Sequence, residues 1–172
     1  MELYEIRLHE ILWGGLLVAL TMAIHGTGMF WILRITESVK ERFAPLESFL
    51  GGLGVVILAS VMIILVNILE VMMWTVFFVL VGAQPSHSTG FYNALLNYVT
   101  LQAGYLPRHW QLLEGLLGMA GLLTVAWSTG ILYMLAQDFQ DTQLRKRRRM
   151  REQQGKATAR PGRDASEADD GG

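Results

Sequence analysis

The stretch Phe49–Ala83, FLGGLGVVILASVMIILVNILEVMMWTVFFVLVGA, decides the fold. It carries one charge, Glu70, in an otherwise apolar run. Wound as a helix it reaches about 52 Å, more than the roughly 30 Å hydrocarbon core of a bilayer. It must therefore tilt or project beyond the membrane. Gly51, Gly52 and Gly54 near its start permit a bend or a close approach by another helix. Two further runs flank it. Ile11–Leu33 and Gly115–Gln137 contain no Asp, Glu, Lys or Arg, and each is long enough to cross.

The whole chain agrees with this reading. Its 172 residues are 52% hydrophobic and 17% charged, with a mean hydropathy of +0.34. Nine of the 14 Lys and Arg fall late in the chain (Arg145, Lys146, Arg147, Arg148, Arg149, Arg151, Lys156, Arg160 and Arg163). The body before them is too apolar for a water-facing globule. The formal net charge of −1 averages a membrane body, a basic collar and an acidic tip. The absence of cysteine excludes disulfides, thiolate metal sites, iron–sulfur clusters and a Cys nucleophile. His9, His87 and His109 lie in polar or end regions, so no metal site is expected. No glycine-rich phosphate loop, His-Glu-x-x-His or Ser–His–Asp pattern points to an enzyme.

Charge orients the spans. Residues 1–10 hold Glu2, Glu5 and Glu10 against Arg7, which is not the basic start of a signal peptide. The basic collar, residues 138–154, places the C-terminus in the cytoplasm, together with the 34–47 loop and its Arg34, Lys40 and Arg42. The N-terminus and residues 84–111 then lie outside. Residues 155–172, rich in small and acidic residues, read as disordered. The basic run directly after a span reads as a topology anchor on anionic lipid, with no nucleic-acid partner expected.

Between the second and third runs lies Phe91–Leu101, apolar but too short to span as a helix. That makes it a re-entrant or interfacial candidate. The order is then a long helix, a short segment on the outer side, an irregular stretch and a glycine-dotted helix. This is the plan of a potassium-channel pore module, in which carbonyl oxygens replace an ion's water shell. Four copies around an axis can enclose such backbone; one copy cannot.

The residues themselves carry a resemblance. Asn67–Trp74 (NILEVMMW), Phe91–Leu101 (FYNALLNYVTL), Trp110–Gly118 (WQLLEGLLG) and Ala126–Gly130 (AWSTG) resemble a group of bacterial inner-membrane proteins in the two-helix potassium (ion) channel family, with one extra helix in front. The likeness covers roughly residues 10–140. It implies an all-α membrane protein with three transmembrane helices (11–33, 49–83 and 112–137) and a re-entrant pore helix. The pore module would span 48–137 with a pore loop at 91–106. It also implies a homotetramer in the inner membrane, without a cofactor, passing a monovalent cation.

The family's filter reads Thr-x-Gly-Tyr-Gly-Asp. Here the candidates are Thr100, Leu101, Gln102, Ala103, Gly104 and Tyr105. In the preferred register Gln102 replaces the first glycine and Ala103 the tyrosine. A second register pairs Gly104-Tyr105 with Gly-Tyr. Either one loses a glycine from a backbone that needs φ > 0. The expectation is weak or altered K⁺ selectivity, with a non-conducting scaffold or accessory subunit as the alternative.

Other positions keep two readings each. Glu70 is a structural acid or takes part in ion passage. His25, with Glu70 or Asn67 as its partner, is an interhelical hydrogen-bonding residue or a pH sensor. Gly115, Gly118 and Gly121 allow close helix packing or a gating hinge, the hinge falling at Gly118 or Gly121. Thr124 and Ser128 are candidates to line an inner cavity, with Trp127 and Tyr133 facing lipid or a neighbour.

Overall fold

A computed structural model of the chain describes residues 8–42, 49–101 and 104–159. All its elements are helical: α1 (Leu8–Arg42), α2 (Phe49–Leu80), α3 (His87–Tyr98), a 3₁₀ turn (Arg108–Trp110) and α4 (Gln111–Ala159). Three of them, α1, α2 and α4, are long and apolar enough to cross a membrane. The chain is thus an all-helical, multi-pass membrane protein.

The long helices pack along stripes at helical spacing. On α1 the buried positions are Glu10, Gly14, Leu17, Thr21, His25, Met29, Ile32 and Thr36, three or four residues apart, so they form one face. The remaining faces are apolar and exposed, with Leu16, Phe30 and Trp31 on α1 and Ile57, Ile64 and Leu65 on α2. Surface of that kind suits lipid rather than water. Inside, two apolar clusters stack along the bundle. One gathers Leu17, Trp74, Phe78, Tyr98, Trp110 and Leu113 at the loop end; the other gathers Met29, Ile32, Ala59, Ile63, Ile131 and Leu135.

Several boundaries differ from the sequence reading. The first helix runs past residue 33 to Arg42, because the added turns contain neither Gly nor Pro. The loop expected at 34–47 is therefore helical through Arg42, and 43–48 lie outside the described residues. The second helix stops at Leu80 instead of 83, where Gly82 takes φ +70°. The short segment between the second and third spans begins at His87, capped by Ser86, whose Oγ accepts the Thr89 N–H at 3.2 Å. The third span and the basic collar are one helix. Strong helix formers carry α4 without a break through Arg151 and on to Ala159. Gly155–Ala159, expected in a disordered tail, are helical; 160–172 lie outside the described residues.

Candidate functional site

A layer of polar side chains separates the two apolar clusters, and all four helices contribute to it. His25 Nδ1 lies 2.8 Å from Glu70 Oε1, with both side chains fully buried. The Tyr98 hydroxyl on α3 donates to Glu70 Oε2 at 2.5 Å and lies 2.5 Å from Thr124 Oγ1 on α4. Thr124 reaches the Gly121 carbonyl at 2.9 Å. Ser128 Oγ sits 3.3 Å from His25 Nε2. Beside this chain Trp74 Nε1 donates to Thr21 Oγ1 at 2.9 Å, and Thr21 donates to Leu17 O. Each hydroxyl carries one proton, so with Tyr98 donating to Glu70 the single Thr124 proton is left to serve the Tyr98 oxygen or Gly121 O. A carboxylate at this depth costs several kcal/mol when left unpaired, about 2.5–3.5 kcal/mol even by insertion scales. Here both of its oxygens are engaged.

The layer also fixes the depth of α3. Its start lies next to the C-terminal end of α2, yet Tyr98 touches Glu70, about 15 Å along α2 from Leu80. On the other side the Tyr98 carbonyl lies against Gly121, so close that a Cβ there would come within 2.0 Å of it. Gly121 too lies about 15 Å in from the start of its helix. Gly121 is therefore a contact position. Gly118 is less constrained, since a Cβ there would meet Asn97 and Thr100 only at 3.5 Å and 3.6 Å.

α3 ends in a Schellman motif. The Thr100 N–H bonds Asn97 O and the Leu101 N–H bonds Leu96 O, both at 2.7 Å, and Thr100 takes φ 61°. A β-branched residue in the left-handed region is strained. Thr100 is exposed and Leu101 is 75% exposed, so the turn stands on the protomer's surface. Gln102 and Ala103, the two positions on which the filter comparison turns, lie outside the described residues.

The returning backbone is clamped from within the protomer. Gly104, at φ +77°, donates its N–H to Glu114 Oε2 and Leu106 donates to Oε1, both at 2.6 Å. Gln84 Nε2 donates to the Tyr105 carbonyl at 3.3 Å, and Asn93 Nδ2 donates to Gln84 Oε1. Tyr105 packs on Phe78, and burial, then the Glu114 charge, pushes its phenol well above the ordinary range. A groove opens beside this clamp, lined by Asn97, Thr100, Gln111, Glu114, Gly118 and Met119 among others.

The sequence candidates thus divide. His25, Glu70, Thr124 and Ser128 converge in one layer. Asn67 does not join it, and its buried Oδ1 has no hydrogen-bond partner among the described residues. Thr124 and Ser128, expected to line a cavity, turn their hydroxyls into the protomer at 0% and 5% exposure, because Tyr98 and His25 take them up. Trp127 and Tyr133 do face outward. Thr100, Leu101, Gly104 and Tyr105 form one loop. The roles of Tyr98, Gln84 and Glu114 were not legible beforehand, since their partners lie far off in sequence or are backbone groups. No family model, curated protein or solved structure matches the chain.

Proposed function

We propose that the chain is a potassium-channel-like subunit whose homotetramer passes monovalent cations passively, with weak K⁺ selectivity. The observation that carries this is the level at which α3 ends. Tyr98 meets Glu70 and Gly121 about 15 Å inside the ends of α2 and α4, half the thickness of a hydrocarbon core. Backbone that turns at that depth with Thr100 and Leu101 on the surface needs protein or a watery path beside it. A re-entrant α3, with its partly negative C-terminal end pointing at a shared centre, supplies the field a cation needs. The strained, glycine-poor turn argues for a path wider or less regular than a K⁺ filter.

The test is stoichiometry in detergent followed by flux in liposomes. Four copies and cation flux with little K⁺/Na⁺ discrimination are expected. A monomer would remove the enclosed centre and sink the proposal. Tetramers without flux would assign the chain to the scaffold reading instead, and Q102G/A103Y would then separate a blocked path from none.

A further inference from the structure

We infer that each copy meets the next by setting one exposed face of its α3, formed by Tyr92, Leu95 and Val99, into its neighbour's groove between α3 and α4. The inference rests on the tetrameric reading above and names the two surfaces that build it. α3 buries Gly90, Ala94, Asn97 and Tyr98 within its own protomer. On another side, Tyr92, Leu95 and Val99 are three or four residues apart and so form a second stripe. They are 61%, 38% and 45% exposed. The groove has a volume of about 480 Å³, and two helices build it. Asn97 and Thr100 come from α3; Gln111, Glu114, Met119 and Leu122 come from α4. Gly115 and Gly118 line it between them, and a Cβ at Gly115 would meet nothing within 4 Å.

The two surfaces match in height and in polarity. α3 and α4 run inward from the same end of the bundle, and the Tyr98 carbonyl lies against Gly121. Counted back from that contact at 1.5 Å per residue, Tyr92 and Gly115 both lie about 9 Å before it. Leu95 is then level with Gly118, and Val99 with Leu122. Copies inserted with one topology keep these levels when set side by side. The Tyr92 hydroxyl therefore comes to the polar end of the groove, at Gln111 and Glu114. Leu95 and Val99 come to its apolar part, at Met119 and Leu122. Each Glu114 oxygen accepts one backbone N–H and keeps a lone pair for a further donor. An acyl chain brings no such donor, whereas a second copy does. The glycines allow the close helix approach that drives association in membranes. Stripe and groove are different surfaces, so the contact is heterologous and repeats from copy to copy until a ring closes.

Two measurements on the full chain test the docking. Gly115→Leu fills the groove from an open position without touching the protomer. Its unfolding midpoint should hold or rise, since leucine is the better helix former, while native mass should show the tetramer lost. The chain contains no cysteine, so introduced thiols have no competitors. V99C and L122C chains expressed together in membranes should form disulfide-linked dimers under oxidation. Each alone should not, and neither should I57C or I64C on the exposed face of α2. Wild-type tetramers that survive Gly115→Leu would overturn the docking and leave the tetrameric reading standing. So would a V99C and L122C mixture that cross-links no more than either chain alone. A monomeric wild type would end both.

Discussion

The ends of α2 and α3 are the same hydrogen-bonded motif built from different materials. At the end of α2, Gly82 donates to Val79 O and Ala83 to Phe78 O, with Gly82 at φ +70°. At the end of α3, Thr100 donates to Asn97 O and Leu101 to Leu96 O, with Thr100 at φ 61°. In the first, glycine occupies the left-handed position and Ala83 is buried at 7%. In the second a β-branched residue sits there, and the following Leu101 is 75% exposed. The motif ordinarily closes with an apolar contact by that following residue. One end is therefore complete within the protomer. The other is strained and uncovered, and it is held in place from a distance by the polar layer and the Glu114 clamp.

If the polar layer is what seats the α3 end, removing its centre should give the largest effect. Glu70→Leu leaves His25 and Tyr98 buried without their acceptor, a loss of about 3 kcal/mol. Thermal unfolding in detergent, followed by tryptophan fluorescence, should show a much lower midpoint, with Glu70→Gln falling between it and wild type. A leucine variant as stable as wild type would mean that packing alone positions α3.

Glycines on the face of α4 below that end make a second, sharper pair. Gly121→Ala drives a Cβ into the Tyr98 carbonyl, backbone that cannot swing aside, and should cost about 2 kcal/mol. Gly118→Ala meets only ordinary contacts and should be neutral or slightly stabilising through helix propensity. Equal responses at the two positions would remove the close approach as the reason for Gly121.

The clamp above should matter less, and only locally. Glu114→Gln replaces one acceptor facing a loop N–H with a donor, at about 1.5 kcal/mol. Hydrogen exchange at Gly104 and Leu106 should accelerate by roughly tenfold, with Gly82 and Ala83 unchanged. Acceleration at both turns would mean that the two ends are not independent.

What the sequence revealed and what it hid follow from the range of each interaction. The three spans are legible because apolar length is a property of consecutive residues, as Ile11–Leu33 and Phe49–Ala83 show. Glu70 stands out as a lone charge in such a run, and His25 as a lone imidazole. Their pairing across α1 and α2 was one of two open choices, His25 with Glu70 or with Asn67, and only tertiary geometry selects between them. Tyr98 was hidden because nothing local distinguishes a tyrosine that reaches a carboxylate from one that faces lipid. Glu114 was hidden because its partners are backbone N–H groups, which no side-chain pattern encodes. The helical continuation of α4 through the collar was misread because a change from apolar to basic composition marks a change of surroundings, not of backbone.

The smallest expected effect bears most directly on the two ends. Gly82→Ala should destabilise by about 1 kcal/mol, because it places a Cβ in the left-handed region. Thr100→Gly is the reverse exchange. It relieves a strain of order 1–2 kcal/mol, offset by the greater freedom of glycine in the unfolded chain, and should stabilise the protomer by about 0.5 kcal/mol. Thr100 is exposed and lines the groove beside Glu114, so in the proposed assembly its side chain would face a neighbouring copy. If the proposed tetramer forms, the variant should raise the unfolding midpoint of isolated protomers while weakening that assembly, measured on one preparation by unfolding and by native mass. A gain in both would mean that Thr100 is merely tolerated, and that the uncovered end of α3 is not where copies meet.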